Sequence, residues 1–177
     1  RQAMELARKF DTRTIRFAAY AGERPAKSFA KVHPILKEME RTLADKGRYV
    51  RFETRIYATY DEAIKAFARG EADLARMGGA SSLLSRSANP GLRFLAAEFR
   101  EKPHYGFFVV RRDSPIQSLD DLAGRTFAFG NRHSTLSRYA PQAALLGHGL
   151  GPRDFKSFSY LGRHDRVALA VAVGDFD

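Results

Sequence analysis

Three hydroxyl side chains within four positions, Ser134, Thr135 and Ser137, follow the apolar run Phe127-Ala128-Phe129-Gly130, with Arg132, His133 and Arg138 alongside. Ser134 and Thr135 stand where a helix N-cap belongs. Their hydroxyls and the unpaired N–H groups of a first helical turn would converge at the positive end of a helix dipole. Such a point suits a phosphate-like anion. A Ser-Thr pair alone is better explained by capping; the third hydroxyl, Ser137, and the neighbouring cationic residues favour an anion cradle. Other chemistry is sparse. The chain has no cysteine, which excludes a thiolate nucleophile or a cysteine metal site. His104 and His148 have no partner at metal-ligand spacing, so neither a metal nor a cofactor is expected. Ser134, His164 and an aspartate could be imagined as a hydrolase triad, but no Gly-x-Ser-x-Gly elbow is present, and the chain reads as a binder, not an enzyme.

The charge balance agrees with an anionic ligand. Thirty Lys+Arg against twenty Asp+Glu give a formal net charge of +10, which favours nucleic acid, acidic membrane or small oxyanions. Acids interleave with the bases, as in Lys37-Glu38-Met39-Glu40-Arg41, whereas a nucleic-acid binder concentrates its bases on one face. Nucleic acid therefore ranks low. No run of about eighteen apolar residues is present to span a bilayer, and a membrane enters only through an anchor or partner outside this chain. The first residue is Arg1, not Met, in keeping with a signal peptide or lipid anchor upstream.

The elements that must hold the loop alternate between strand and helix. Thr14–Tyr20 and Val50–Ile56 alternate as strands. Between them Phe29, Val32, Ile35, Leu36, Met39 and Leu43 recur at helical spacing, giving a core-facing helix over Ser28–Lys46 that Pro34 should kink or start. Thr59 can cap a helix over 60–69, and 72–77 is short enough for a third strand. Gly78–Ser82 reads as a strand-to-helix turn of the kind that binds ligands in open α/β sheets. Leu92–Ala97 and the continuously apolar Tyr105–Val110 read as fourth and fifth strands, the latter covered on both faces. Ser118 can cap a short helix to Leu122; a strand into the hydroxyl loop, a helix over about Ser137–His148, a strand near Phe155–Leu161 and a helix over Arg163–Val173 complete an α/β chain. The polar connector at Arg111–Leu119 divides it: a lead-in over 1–13, lobe 1 over 14–112, and connector plus lobe 2 over 113–177. Lobe 2 then has only two strands, so further chain is expected to complete it.

From Thr14 onward the sequence resembles the phosphonate-type substrate-binding proteins of ABC transporters, in the two-lobed type 2 periplasmic binding protein class. The resemblance is carried by Tyr60-Asp61-Glu62-Ala63, Gly70-Glu71-Ala72-Asp73, Arg111-Arg112-Asp113-Ser114-Pro115-Ile116 with Leu119–Arg125, Ser134-Thr135, Gly162-Arg163-His164-Asp165 and Val171–Asp177. It implies a periplasmic or otherwise extracytoplasmic protein, secreted or lipid-anchored. Such a protein would hold a phosphonate, phosphite or phosphate ester in an interlobe cleft and deliver it to permease subunits. It also implies that Ser134 and Thr135 hold the anion, that His164 lies beside it, and that Tyr60 and Tyr105 face it from lobe 1. The family's Ser-Thr-Ser-Gly is Ser134-Thr135-Leu136-Ser137 here, which puts Ser137 forward as the third hydroxyl. The same fold serving as the sensor domain of a membrane signalling protein is the alternative.

Overall fold

In the computed structural model, residues 12–20, 25–98, 101 and 105–177 are described. The lead-in helix, the 21–24 turn and His104 lie outside them. Packing divides the chain into two compact units, one running through Met77 with Ser87–Asn89, the other comprising Gly78–Arg86 and Pro90–Asp177.

The first unit is built on three parallel strands, β1 (Arg13–Tyr20), β2 (Val50–Tyr57) and β3 (Leu74–Arg76), in the order β2-β1-β3. The period-2 pattern of β1 feeds both faces of this sheet. On one face Ile15, Phe17 and Phe52 pack with Val32 and Leu36 of helix α1 (Pro25–Asp45). On the other Ala18 and Tyr57 meet Ala63 and Ala66 of helix α2 (Tyr60–Ala68). Covering both faces is what an all-parallel sheet requires. Thr59 caps α2 as its sequence predicts, accepting a hydrogen bond from Glu62 N. Pro34 does not mark the start of α1, which begins nine residues earlier at Pro25. One lost backbone bond is outweighed by burial of Val32 and Leu36 on either side of it. Helix α3 (Gly79–Ala88) likewise starts earlier than its Gly-Gly pair suggests, so Gly79–Ser82 is its first turn and not a loop.

The second unit carries a parallel pair, β4 (Thr126–Phe129) and β5 (Ser157–Tyr160), in register Phe129↔Tyr160. Helices α4 (Ala140–Gly147) and α5 (His164–Val173) follow the two strands. Ile116, Leu122, Phe129, Leu145 and Leu150 form its core. Two expectations fail here. Ser118 does not cap the short helix Asp120–Leu122; instead the Asp121 carboxylate accepts from Gln117 N, Ser118 N and Ser118 Oγ. Leu92–Ala97 and Tyr105–Val110 are not strands, and Leu95, Tyr105 and Phe107 are 75%, 67% and 82% exposed. Apolar runs report strand propensity, but a strand also needs a ladder partner, and none pairs with these segments among the described residues. No helix among the described residues is long and apolar enough to cross a membrane.

Candidate functional site

The hydroxyl loop lies in the second unit, at the C-terminal end of β4. Gly130 ends the strand, donating its N–H to Ser137 O at 3.1 Å and accepting from Gly162 N at 2.9 Å. A Cβ here would stand 2.4 Å from Ser137 Oγ, 2.7 Å from Ser137 Cβ and 3.5 Å from His164 Nδ1. Only glycine lets the third hydroxyl and the imidazole close on this strand end. Ser137 and His164 are thus brought together by tertiary structure from positions far apart in the chain.

Each hydroxyl has a distinct job. Ser134, 5% exposed, is the N-cap of the turn Thr135–Tyr139, its Oγ accepting from Ser137 N at 3.2 Å. That turn is π-helical, a wide form that recurs at functional sites. Ser137 Oγ accepts from Asn131 N at 3.3 Å, while Asn131 folds the loop by accepting from His133 N and Ser134 N. Thr135 Oγ1 accepts from Ala80 N at 2.9 Å, at the start of α3. A threonine hydroxyl that accepts one bond keeps its own proton to donate elsewhere. The N–H groups of Thr135 and Leu136 make no backbone bond among the described residues, as the first turn of a helix leaves them. The site therefore presents O–H and N–H donors, a donor set matched to an oxyanion.

The contribution of α3 is absent from the sequence reading. Ser81, fully buried, donates its Oγ to His133 O at 3.0 Å, and Ser85 Oγ donates to Ser81 O. The start of α3 is thus fastened to the hydroxyl loop at two points, Ala80–Thr135 and Ser81–His133. The signal available in the sequence is Ser81 and Ser85 one turn apart, directly after a Gly-Gly turn already read as ligand-facing.

His164 is the first residue of α5, whose cap residue Arg163 makes no side-chain capping bond. Arg163 instead holds the Asp165 carboxylate, whose hydrogen bond to the guanidinium lowers its pKa to about 2. The acid neighbouring His164 is thus engaged by an arginine. Tyr60 sits in the first unit, 6% exposed, its ring stacked on Tyr20 at 3.7 Å. Tyr105 lies in the second unit and is exposed; a Cβ on the adjacent Gly106 would stand 3.4 Å from Leu136 O, so this segment runs past the hydroxyl loop. Among the described residues no group of three His, Cys, Asp or Glu side chains could hold a metal.

Residues 17–177 match the family described as ABC transporter, phosphonate, periplasmic substrate-binding protein. Among curated relatives, the probable ABC transporter phosphite binding protein PhnD1 of Prochlorococcus marinus is 26% identical over 149 residues, covering 80% of this chain and 48% of that one. The phosphate-import protein PhnD of Mycolicibacterium smegmatis is 26% identical over 176 residues, covering 93% and 53%. The chain thus spans about half the length of the curated relatives it matches. Among solved structures, Prochlorococcus PhnD1 in complex with methylphosphonate superposes with a TM-score of 0.67 at 20% identity, covering 93% of this chain and 62% of that one. A binding protein component of an ABC phosphonate transporter from Pseudomonas aeruginosa gives 0.70 at 22%, covering 94% and 56%. The fold is that of the type 2 periplasmic binding proteins. With 161 consecutive residues, 17–177, matching the family, the chain belongs to the phosphonate-type periplasmic substrate-binding proteins of ABC transporters.

Proposed function

We propose that this chain captures a small phosphorus oxyanion, a phosphonate, phosphite or phosphate ester, for an ABC transporter. The observation that carries the reading is Thr135. Its Oγ1 is held by Ala80 N, so its hydroxyl proton and the first-turn N–H groups remain for a ligand. Ser137 and His164 close on Gly130 beside the same turn. Ser134 shapes the loop as its cap. Tyr105, exposed on the segment that runs past the hydroxyl loop, adds a contact from the side. Capture without catalysis is in keeping with a family of transport solute-binders, and with Asp165 being engaged by Arg163. The proposed setting is extracytoplasmic, with permease subunits as partners. The lobes of the family would divide this chain at 14–112 and 113–177, a different cut from the two packing units.

Calorimetric titration with methylphosphonate, phosphite, phosphate and an alkanesulfonate tests the proposal. About three to five charge-assisted hydrogen bonds at roughly 1.5–3 kcal/mol each support micromolar affinity after the cost of association. Heat released with one of the phosphorus anions supports the reading; a folded protein silent to all of them overturns it.

A further inference from the structure

Arg132 and Arg138 flank the hydroxyl loop, and both guanidinium groups lie over one aromatic ring. The Cζ atoms of Arg132 and Arg138 are 5.2 and 5.6 Å from the Tyr160 ring centroid. That ring is fixed: it stacks on Phe129 at 5.3 Å, and its hydroxyl accepts from Gln142 Nε2. Arg138 is fixed as well, its Nη1 donating to Arg132 O at 2.6 Å and to Tyr139 Oη, its Nε to Gln142 Oε1, with its Cζ 4.5 Å from the Tyr139 centroid. Arg132 meets the ring only through its π face, so among the described residues its guanidinium donors have no hydrogen-bond acceptor. Neither arginine is paired with a carboxylate among the described residues, and of the arginines only these two share one aromatic ring there. Two like charges gathered on one tyrosine repel each other, and an anion between them would offset that repulsion.

We propose that Arg132 and Arg138 form a second oxyanion subsite, on the platform of Tyr160, which makes this chain selective for phosphorus oxyanions bearing a second anionic group, a carboxylate or a further phosphoryl. The proposal rests on the oxyanion reading of the hydroxyl loop. Arg138 Nη1 is bonded to Arg132 O, two residues before the Ser134 cap, which keeps the arginine pair on the hydroxyl loop. A ligand whose two charged groups are separated by one or two carbons would bridge the loop's donors and this pair. The planar guanidinium fork matches a carboxylate or phosphoryl edge through two parallel hydrogen bonds.

The test compares phosphonoacetate with 2-oxopropylphosphonate, which keeps the same heavy-atom skeleton but carries a methyl group in place of one carboxylate oxygen. Both are titrated into the full chain by calorimetry at low and high salt. The wild-type protein is expected to bind phosphonoacetate about tenfold or more tightly than the ketone, the weight of one charge-assisted contact. Arg132→Gln, which removes no side-chain hydrogen bond, should lower phosphonoacetate affinity far more than the ketone's and so erase this preference, in a protein that still unfolds cooperatively. Arg132→Lys, keeping charge without the fork, should restore part of it. Equal affinity for the two ligands in the wild type, or a preference that survives Arg132→Gln, overturns the subsite while leaving the phosphonate reading intact. Binding of neither ligand overturns the subsite, and only silence to methylphosphonate, phosphite and phosphate as well overturns the phosphorus-oxyanion reading.

Discussion

Replacing Gly130 with alanine isolates the contact on which the site depends. Gly130 does not have a positive φ, so alanine is tolerated by the backbone, and any effect comes from the methyl group. That methyl would stand 2.4 Å from Ser137 Oγ and 2.7 Å from Ser137 Cβ, well inside van der Waals contact. Rotating the hydroxyl relieves the first clash but not the second, because Ser137 Cβ is fixed by its own backbone. The turn must therefore shift, straining Gly130 N to Ser137 O and Asn131 N to Ser137 Oγ. Overpacking costs about 1–3 kcal/mol and one weakened hydrogen bond roughly 0.5–1.5 kcal/mol. Gly130→Ala should thus destabilise the fold by about 1.5–4.5 kcal/mol and weaken methylphosphonate binding at least tenfold. Gly147→Ala provides the control: a Cβ there meets nothing within 4 Å, and the change should be neutral or stabilise by up to about 1 kcal/mol through helix propensity. In the double variant Gly130→Ala/Ser137→Gly both close contacts vanish, so stability should partly return while anion affinity does not. Denaturant unfolding and calorimetric titration read the two effects. A Gly130→Ala protein as stable as the Gly147→Ala control and binding like the wild type would refute the packing account of the site.

The remaining expectations concern single groups. Thr135→Val should lower methylphosphonate affinity about tenfold by deleting one donor to a charged ligand, and should cost roughly 0.5–1.5 kcal/mol of stability because Ala80 N loses its acceptor; Thr135→Ser should retain most of both, read by titration and melting. Ser134→Ala removes the cap on the turn and should cost about 1 kcal/mol, measured by denaturant unfolding. Ser81→Ala removes the buried Ser81 hydroxyl that donates to the His133 carbonyl and should cost about 1–3 kcal/mol, with a fall in affinity as the loop loosens. Asp73, hydrogen-bonded by Arg16, has its pKa lowered from 3.8 to about 2. Because the folded value lies below the ordinary one, its contribution is present above about pH 4 and is lost as pH falls through about 2. With both side chains 44–49% exposed, that contribution is under about 1 kcal/mol, and unfolding of Asp73→Asn against wild type should show a small gap that closes toward pH 2.

Local chemistry made much of the protein legible in its sequence. The alternation in β1 and β2, the Thr59 cap with its acidic first turn, and the hydroxyl cluster after β4 each depend on neighbours within a few residues. Such short-range preferences act in any context that permits them. Where the outcome needed a distant partner, the sequence was insufficient. Tyr105–Val110 has the composition of a covered strand, yet pairs with nothing among the described residues. Pro34 carries a local signal to stop, yet α1 runs through it because Val32 and Leu36 are buried on either side. The hydroxyl loop itself was visible, but not the assignment of its oxygens. Ser134 is the cap, Ser137 is fitted against Gly130, and Thr135 takes its acceptor role from Ala80, 55 residues away in sequence. A side chain's type states which bonds it can make, while only its tertiary neighbours decide which of those bonds are already used and which donors remain for a ligand.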